Sequence, residues 1–178
     1  IVEAVKSGEL DEKTLDARVE ELLSFVEKYQ INEEVETDFE KHHQLARKAS
    51  EESILLLKNK ENLLPLKHES YVVLGDFAET PRYQGAGSSL INPKKLDNFL
   101  EHAEKDSQYR GFAKAYHRYG RFSKRLKEEA LRKANEGDVI LYFMGLDEGS
   151  EAEAVDRQHM RLPENQMDVL DALLKLNK

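Results

Sequence analysis

Cysteine is missing from the 178 residues of this chain. Disulfide bonds, thiolate metal ligands and a cysteine nucleophile are therefore excluded. Long apolar runs are missing as well, since the two longest, 54–57 and 139–144, are far shorter than the roughly 20 residues that cross a bilayer. We therefore expect no membrane-spanning segment and no membrane partner.

Positively charged residues are too few to balance the negative ones. The chain has 27 Lys and Arg residues and 35 Asp and Glu residues, which gives a net charge of −8. A surface with this balance does not attract nucleic acid, so we expect no nucleic-acid partner. Hydrophobic residues make up 39% of the chain, which at this length is enough for a real core. The first residue is Ile, so we expect the natural N-terminus to lie upstream. Localisation and oligomeric state stay open, with the cytoplasm as the default expectation.

The first third of the sequence has helical periodicity. Apolar residues recur at helical spacing over residues 9–29, and a second helix is predicted from Asp38 after a polar linker at 30–37. The segments 55–57 and 63–66 follow as short apolar pieces joined by a turn. We expect these pieces to be extended and buried.

From residue 71 strand and helix patterns alternate, and such alternation is typical of an α/β fold with a mostly parallel sheet covered by helices. Residues 139–145 form the most apolar of these strands and are predicted to be buried on both faces. A last helix is expected to begin at Pro163 and to run toward Leu176. The other predicted elements are strands over 71–75 and 112–119 and helices over 95–105 and 123–135.

An acidic loop, residues 151–157, lies between the last predicted strand and the last predicted helix. Loops at the carboxyl ends of strands are where α/β proteins place their chemistry. A carboxyl group that is close to other carboxylates and partly desolvated has its pKa raised and keeps a proton for a leaving group. A solvated surface loop is the alternative. The residues that supply these ingredients are Glu151, Glu153, Asp156 and Arg157.

A glycine-serine loop, residues 84–89, follows the first strand. Its glycines allow close backbone approach, so Gly85, Gly87, Ser88 and Ser89 are candidates to line a site. Nucleotide binding is disfavoured, because the loop lacks the Lys of a P-loop and lies about ten residues beyond the strand.

Two other features have weaker functional interpretations. Adjacent His42 and His43 point about 100° apart on a helix, and the remaining histidines show no ligand spacing, so we expect no metal site. The basic and aromatic stretch 110–133 could bind a polyanion, but its pattern also fits the exposed face of a helix.

Several segments occur in an order that resembles glycoside hydrolase family 3, the β-glucosidase and β-xylosidase group. The resemblance covers most of the chain, and each segment alone would be weak. The segments are His43-Gln44-Leu45-Ala46-Arg47, residues 52–59, Leu63-Leu64-Pro65-Leu66, Gln84-Gly85-Ala86-Gly87-Ser88-Ser89, and Glu151 to Arg157 followed by Leu162-Pro163.

The resemblance implies a truncated three-layer αβα sandwich with a mostly parallel sheet, preceded by helices from the end of a (β/α)8 barrel. Residues 1–30 would be the tail of the barrel domain, 31–66 a linker with an entry helix, and 67–178 part of the sandwich domain. In this family the barrel supplies an aspartate nucleophile and the sandwich domain supplies the acid/base carboxylate.

The resemblance also implies an activity, the retaining hydrolysis of a terminal β-D-glucosyl-type residue. It implies a carbohydrate substrate and no cofactor or metal. The acid/base role falls on Glu153, and Asp156 and Arg157 would brace its loop. The fragment alone is expected to be inactive, because it lacks the nucleophile. Ala154 stands where the family usually has Gly, so if this position needs a positive φ the path of the loop differs from that of the family. The alternative is a non-catalytic, flavodoxin-like α/β binding or regulatory domain.

Overall fold

The computed structural model describes residues 1–30 and 36–176, and the chain falls into two units, Ile1–Ile54 and Leu55–Lys178. Within the described ranges, every helix is too short or too polar to cross a lipid bilayer.

Unit 1 consists of helices α1 (Val2–Lys6), α2 (Glu12–Tyr29) and α3 (Phe39–Glu52). The predicted cap of α3 is confirmed, because the Asp38 carboxylate accepts a hydrogen bond from the backbone N–H of Lys41 at 3.0 Å. This bond satisfies one of the free donors in the first turn. Most of the predicted linker, residues 31–35, lies outside the described residues.

Unit 2 contains three parallel strands in the order β2-β1-β3. Helices follow each strand along the chain, as the alternating pattern predicts. The elements are β1 (Tyr71–Leu74), α4 (Asp76–Glu79), α5 (Phe99–Ala103), β2 (Tyr109–Ala113), α6 (Lys124–Ala134), β3 (Val139–Tyr142) and α7 (Glu164–Leu173), with 3₁₀ turns at Lys60–Asn62 and Leu174–Leu176.

Two apolar layers cover the two faces of this sheet. On one face Val72 and Leu74 pack with Ala130 and Ala134 of α6 and with Val169 of α7. On the other face, Tyr71 and Val73 pack with Ala103 of α5. The predicted three-layer αβα arrangement with a parallel sheet is therefore confirmed.

The position of a strand in the sheet decides its burial. β1 lies between the other two strands, and Val72, Val73 and Leu74 are completely buried. The prediction that residues 139–145 are buried on both faces is wrong, since β3 is an edge strand of the described sheet and is only half-buried. Apolar composition alone does not separate a central strand from an edge strand.

Two element boundaries differ from prediction for local reasons. The second strand covers Tyr109–Ala113 rather than 112–119, because Ala115 adopts a positive φ of 66° that ends the extended backbone. Helix α5 begins only after Asn98, whose side chain accepts a hydrogen bond from Glu101 N at 3.0 Å, so the prediction of a helix from residue 95 is wrong.

The predicted burial of 55–57 and 63–66 is also wrong for most of these residues. Leu55, Leu56 and Leu57 are largely exposed, and residues 54–66 form no strand. At Leu64 the turn explains the lack of a strand, because the Asn59 side chain takes both backbone hydrogen bonds of Leu64, at 2.8 and 2.9 Å. A backbone paired in this way is not available to a sheet.

A buried glutamine connects α7 to the end of β3. Gln166 is fully buried, and its side-chain amide accepts from Gly145 N at 3.0 Å and donates to Gly145 O at 2.9 Å. These two hydrogen bonds fix the backbone at Gly145, where the chain leaves the sheet. Gln166 therefore determines where the following loop begins.

Replacing this glutamine should destabilise the protein strongly. Gln166→Ala leaves the partly buried N–H and C=O of Gly145 without their side-chain partners and removes a fully buried side chain, so we expect a loss of about 2–3 kcal/mol in the free energy of unfolding. Urea unfolding of the chain measures this loss. Asp171→Ala on the exposed side of the same helix is the control and should change stability by less than about 0.5 kcal/mol. Equal effects of the two substitutions would contradict the role of Gln166.

Candidate functional site

An ion network joins the carboxyl ends of all three strands. Asp76 follows β1, Arg118 lies beyond β2 and Glu148 lies beyond β3. The Arg118 guanidinium contacts Glu148 through Nε and Nη2, both at 2.9 Å, and Asp76 through Nη1 at 2.7 Å. It also lies over the ring of Phe77, 4.4 Å from the ring centroid. Lys114 contacts the second oxygen of Asp76 at 2.6 Å.

The contact between Arg118 and Glu148 keeps both of these side chains charged. Hydrogen bonds from Arg118 hold the pKa of Glu148 below its ordinary value. Burial of Arg118 acts to lower its own pKa, but the bonds to Glu148 and Asp76 outweigh burial and raise it. The chain just before the acidic loop is thus fixed by an ion pair that persists at neutral pH.

The turn after Glu148 is capped by its neighbour Asp147. One carboxylate oxygen of Asp147 accepts from Gly149 N at 2.8 Å and Ser150 N at 2.9 Å, and the other accepts from the Ser150 hydroxyl at 2.9 Å. Both oxygens are therefore occupied. Asp147 therefore shapes the turn that leads into the acidic loop.

Arg82 holds the first residue of the acidic loop. Its guanidinium donates to the Glu151 carboxylate at 3.1 Å and to the Glu151 carbonyl at 2.7 Å. The Arg82 side chain is 18% exposed, so the contact is partly shielded from water. Asp156 and Arg157 are predicted to hold this loop in place. No salt bridge among the described residues includes either of them.

Glu153 meets the glycine-serine loop. Its Oε2 accepts hydrogen bonds from the Ser88 backbone N–H at 2.7 Å and from the Ser88 hydroxyl. Its own N–H donates to the Ala86 carbonyl at 2.9 Å. Gly87 makes this approach possible, because it has a φ of 108° and a Cβ there would lie 2.6 Å from the Glu153 Cβ.

The direction of the pKa shift at Glu153 is opposite to the prediction. For a carboxyl group of this loop, neighbouring carboxylates and partial desolvation are expected to raise the pKa. In the structure the two hydrogen bonds from Ser88 lower the pKa of Glu153 instead, and its side chain is exposed to solvent. The neighbouring carboxylates have little influence, because Glu148 and Glu151 are each paired with an arginine.

An open depression of about 500 Å³ lies where the two loops meet. Arg82, Gln84, Glu151 and Glu153 supply most of its polar lining. Of the predicted site-lining residues, Gly85, Ser88 and Ser89 also line it, and Gly87 supports it through its contact with Glu153. The loop therefore brings its predicted residues to the side of Glu153.

Asp156 and Arg157 lie elsewhere. They line a second depression of about 640 Å³, together with Tyr119, His159 and Arg161. The structure therefore separates these two residues from the depression that contains Glu153.

The basic stretch 110–133 is largely paired within the fold. Lys114 and Arg118 contact Asp76, and Lys127 contacts Asp168 at 2.6 Å. Lys133 and Arg125 have acidic partners on or beside the same helix. This internal pairing reduces the positive charge that a polyanion would meet.

Ala154 has a φ of 62°, so the residue next to Glu153 adopts the left-handed conformation. An alanine in this region is strained by about 1 kcal/mol relative to glycine, since its Cβ crowds the following carbonyl. The chain maintains the turn without glycine. The contacts of Arg82 and Ser88 on this loop offset the cost.

Substituting glycine at this position should stabilise the protein. For Ala154→Gly we expect an increase of about 0.5–1 kcal/mol in the free energy of unfolding, because the strain is removed. Urea unfolding gives the value. Ala152→Gly is the matched control, since Ala152 lies in the same loop without a positive φ and should lose stability. A loss of stability in both variants would show that the strain is negligible.

Comparisons with known proteins agree on one group. A family model described as the glycosyl hydrolase family 3 C-terminal domain matches residues 54–178. The chain is 39% identical over 183 residues to thermostable β-glucosidase B of Acetivibrio thermocellus, covering 99% of the chain and 24% of that protein. It is 32% identical over 192 residues to an exo-α-(1→6)-L-arabinopyranosidase of Bifidobacterium breve, covering 100% of the chain and 25% of that protein.

A solved structure shows the same similarity. The GH3 β-glucosidase of Bifidobacterium adolescentis superposes with a TM-score of 0.78 at 33% sequence identity, covering 98% of this chain and 26% of that one. The chain thus spans about a quarter of the length of these relatives.

Proposed function

Because this chain belongs to glycoside hydrolase family 3, we propose that it is part of a retaining β-glycosidase that hydrolyses terminal β-D-glucosyl-type residues, with Glu153 as its acid/base carboxylate. One observation carries most of the support. The Glu153 carboxylate is held by the glycine-serine loop at a polar depression beyond the carboxyl ends of parallel strands. Sites in open α/β sheets occupy this place.

Three nearby carboxylates are already engaged, and that of Asp156 lines the other depression. Both oxygens of Asp147 are occupied in capping, Glu148 pairs with Arg118 through both oxygens, and Glu151 pairs with Arg82. Among the described residues, nothing donates a hydrogen bond to Oε1 of Glu153, since Ser88 binds only Oε2. Glu153 thus lines the depression and has an oxygen available for proton transfer.

The proposed reaction has two steps. Glu153 gives its proton to the glycosidic oxygen while a second carboxylate attacks the anomeric carbon, so that the alcohol leaves and a glycosyl ester forms. Glu153 then takes a proton from water as the water oxygen bonds to the anomeric carbon and the ester breaks. The nucleophile is assigned to the barrel domain that the resemblance implies, with the two carboxyl groups about 5–5.5 Å apart.

A β-glucoside is the proposed substrate because two of the relatives reported above are β-glucosidases. The arabinopyranosidase among them shows that similar chains serve other terminal sugars. A panel of aryl β-glucoside, β-xyloside and α-L-arabinopyranoside therefore tests the sugar separately from the catalytic role of Glu153.

Glu153→Gln in the full-length enzyme tests this role. On substrates with poor leaving groups we expect kcat/KM to fall roughly 10²–10⁴-fold, the usual contribution of general acid catalysis. The dinitrophenolate of an activated dinitrophenyl glycoside leaves without being protonated. Much of the rate of the first step should therefore be kept on these substrates. The measurement is kcat/KM across a series of leaving groups.

Glu151→Gln is the matched control in the same loop. It weakens the Arg82 contact, so its effect should be smaller and should not depend on the leaving group. If Glu153→Gln leaves turnover unchanged, the alternative of a non-catalytic α/β binding or regulatory domain replaces the proposal.

The 178-residue chain by itself should hydrolyse nothing. Under the proposal it supplies the acid/base but not the nucleophile, and proton donation alone does not stabilise an oxocarbenium-like transition state. Release of nitrophenol from 4-nitrophenyl β-D-glucoside by the purified chain is the measurement. Turnover that disappears in Glu153→Gln would contradict this prediction and would place the nucleophile within these residues.

A further inference from the structure

We infer that Ser88 is a positioning residue that determines which oxygen of Glu153 carries the transferable proton. This inference rests on the proposed function of Glu153. It changes the role expected of Ser88, which sequence analysis treats as a residue that lines the sugar site.

The geometry is specific to one oxygen. Both donors of Ser88, its backbone N–H and its hydroxyl, go to Oε2 of Glu153, the N–H at 2.7 Å. The backbone of Glu153 is fixed to the same loop through the Ala86 carbonyl at 2.9 Å. The carboxylate is therefore held at two points, and its rotation about the last side-chain bond is restricted.

The two oxygens are consequently not equivalent. When Glu153 is protonated, one oxygen is a carbonyl-type acceptor and the other carries the hydrogen. Oε2 keeps both Ser88 bonds only as the acceptor, whereas a proton on Oε2 would displace a donor. The proton therefore belongs on Oε1, which donates it to the glycosidic oxygen in the first step and receives one from water in the second.

The same contact influences the pH dependence. Hydrogen bonds from Ser88 favour the ionised carboxylate, and they lower the pKa of Glu153. Removing the hydroxyl raises this pKa toward its ordinary value. Because a general acid works only while it is protonated, the basic limb of the pH profile of kcat/KM should then move to higher pH.

Ser88→Ala in the full-length enzyme is the test. We expect the basic limb to move to higher pH and kcat/KM on alkyl glucosides to fall about tenfold, which corresponds to one lost hydrogen bond to a charged group. Activated aryl glucosides should be affected less. Ser88→Thr retains both donors and should restore the wild-type profile.

Ser89→Ala is the matched control, because it removes a neighbouring hydroxyl that is not bonded to Glu153. The basic limb of the kcat/KM profile of this variant should stay at the wild-type pH, even if substrate binding changes. A Ser88→Ala profile that superposes on wild type, or that moves only as far as Ser89→Ala, would overturn the inference.

Carbon-detected NMR titration of Glu153 in the 178-residue chain gives a second measurement that needs no activity. Ser88→Ala should raise the Glu153 pKa there, and an unchanged value would overturn the inference. The outcome is separable from that of the proposed function. If Glu153→Gln shows the expected leaving-group dependence while Ser88→Ala leaves the pH profile and the titration unchanged, only the role of Ser88 fails.

Discussion

The structure of the candidate site depends on the Arg118 ion network. Three parallel strands end at one edge of the sheet, and a single guanidinium binds carboxylates that follow β1 and β3 from its own position beyond β2. Asp76 and Arg118 are both well buried, and each has a second partner, Lys114 for Asp76 and Glu148 for Arg118. Such a network adds little to net stability over an apolar replacement, but it fixes the relative positions of the three loops.

From this edge the position of Glu153 is built by polar contacts rather than by apolar packing. Asp147 caps the turn after Glu148, Arg82 holds Glu151, and Ser88 holds Glu153. Each carboxylate has its own donor, which explains how an exposed loop with several acidic residues avoids mutual repulsion. Arg82 reaches the loop from the segment after β1, so this arrangement also connects the acidic loop to the glycine-serine loop.

Sequence reasoning predicts the layers better than it predicts the contacts. Alternating patterns are sufficient for a parallel sheet, because both faces must be covered by helices. The same patterns misplace burial, since β1 and β3 are both apolar and only the strand order shows which of them is central. The backbone of Leu64 is paired with the side chain of Asn59, a contact that a hydrophobicity pattern does not register.

In the candidate site, too, the residues are easier to predict from the sequence than the contacts between them. Glu153 and the glycine-serine loop are identified through the family resemblance, but the contact between them joins residues 65 positions apart. Arg82 and Arg118 are not recognised in advance because lysine and arginine are frequent in this chain, and composition does not tell a buried arginine from a solvated one. The positions of the network residues relative to the strands do give one signal. Asp76 and Glu148 lie beyond the ends of predicted strands and Arg118 lies at the carboxyl end of another, and in a parallel sheet these ends meet at one edge.

The charge state of Glu153 sets a constraint on how the proposed chemistry would work. Ser88 and solvent both favour the ionised carboxylate in this chain, whereas a general acid must be protonated near the working pH. A second carboxylate about 5–5.5 Å away disfavours ionisation through like charge, and a sugar that excludes water does so through desolvation. Under the proposal, Glu153 gains its affinity for a proton only when the nucleophile and substrate approach it. Formation of the glycosyl ester then neutralises the nucleophile, the pKa of Glu153 falls again, and the same residue becomes the base that the second step requires.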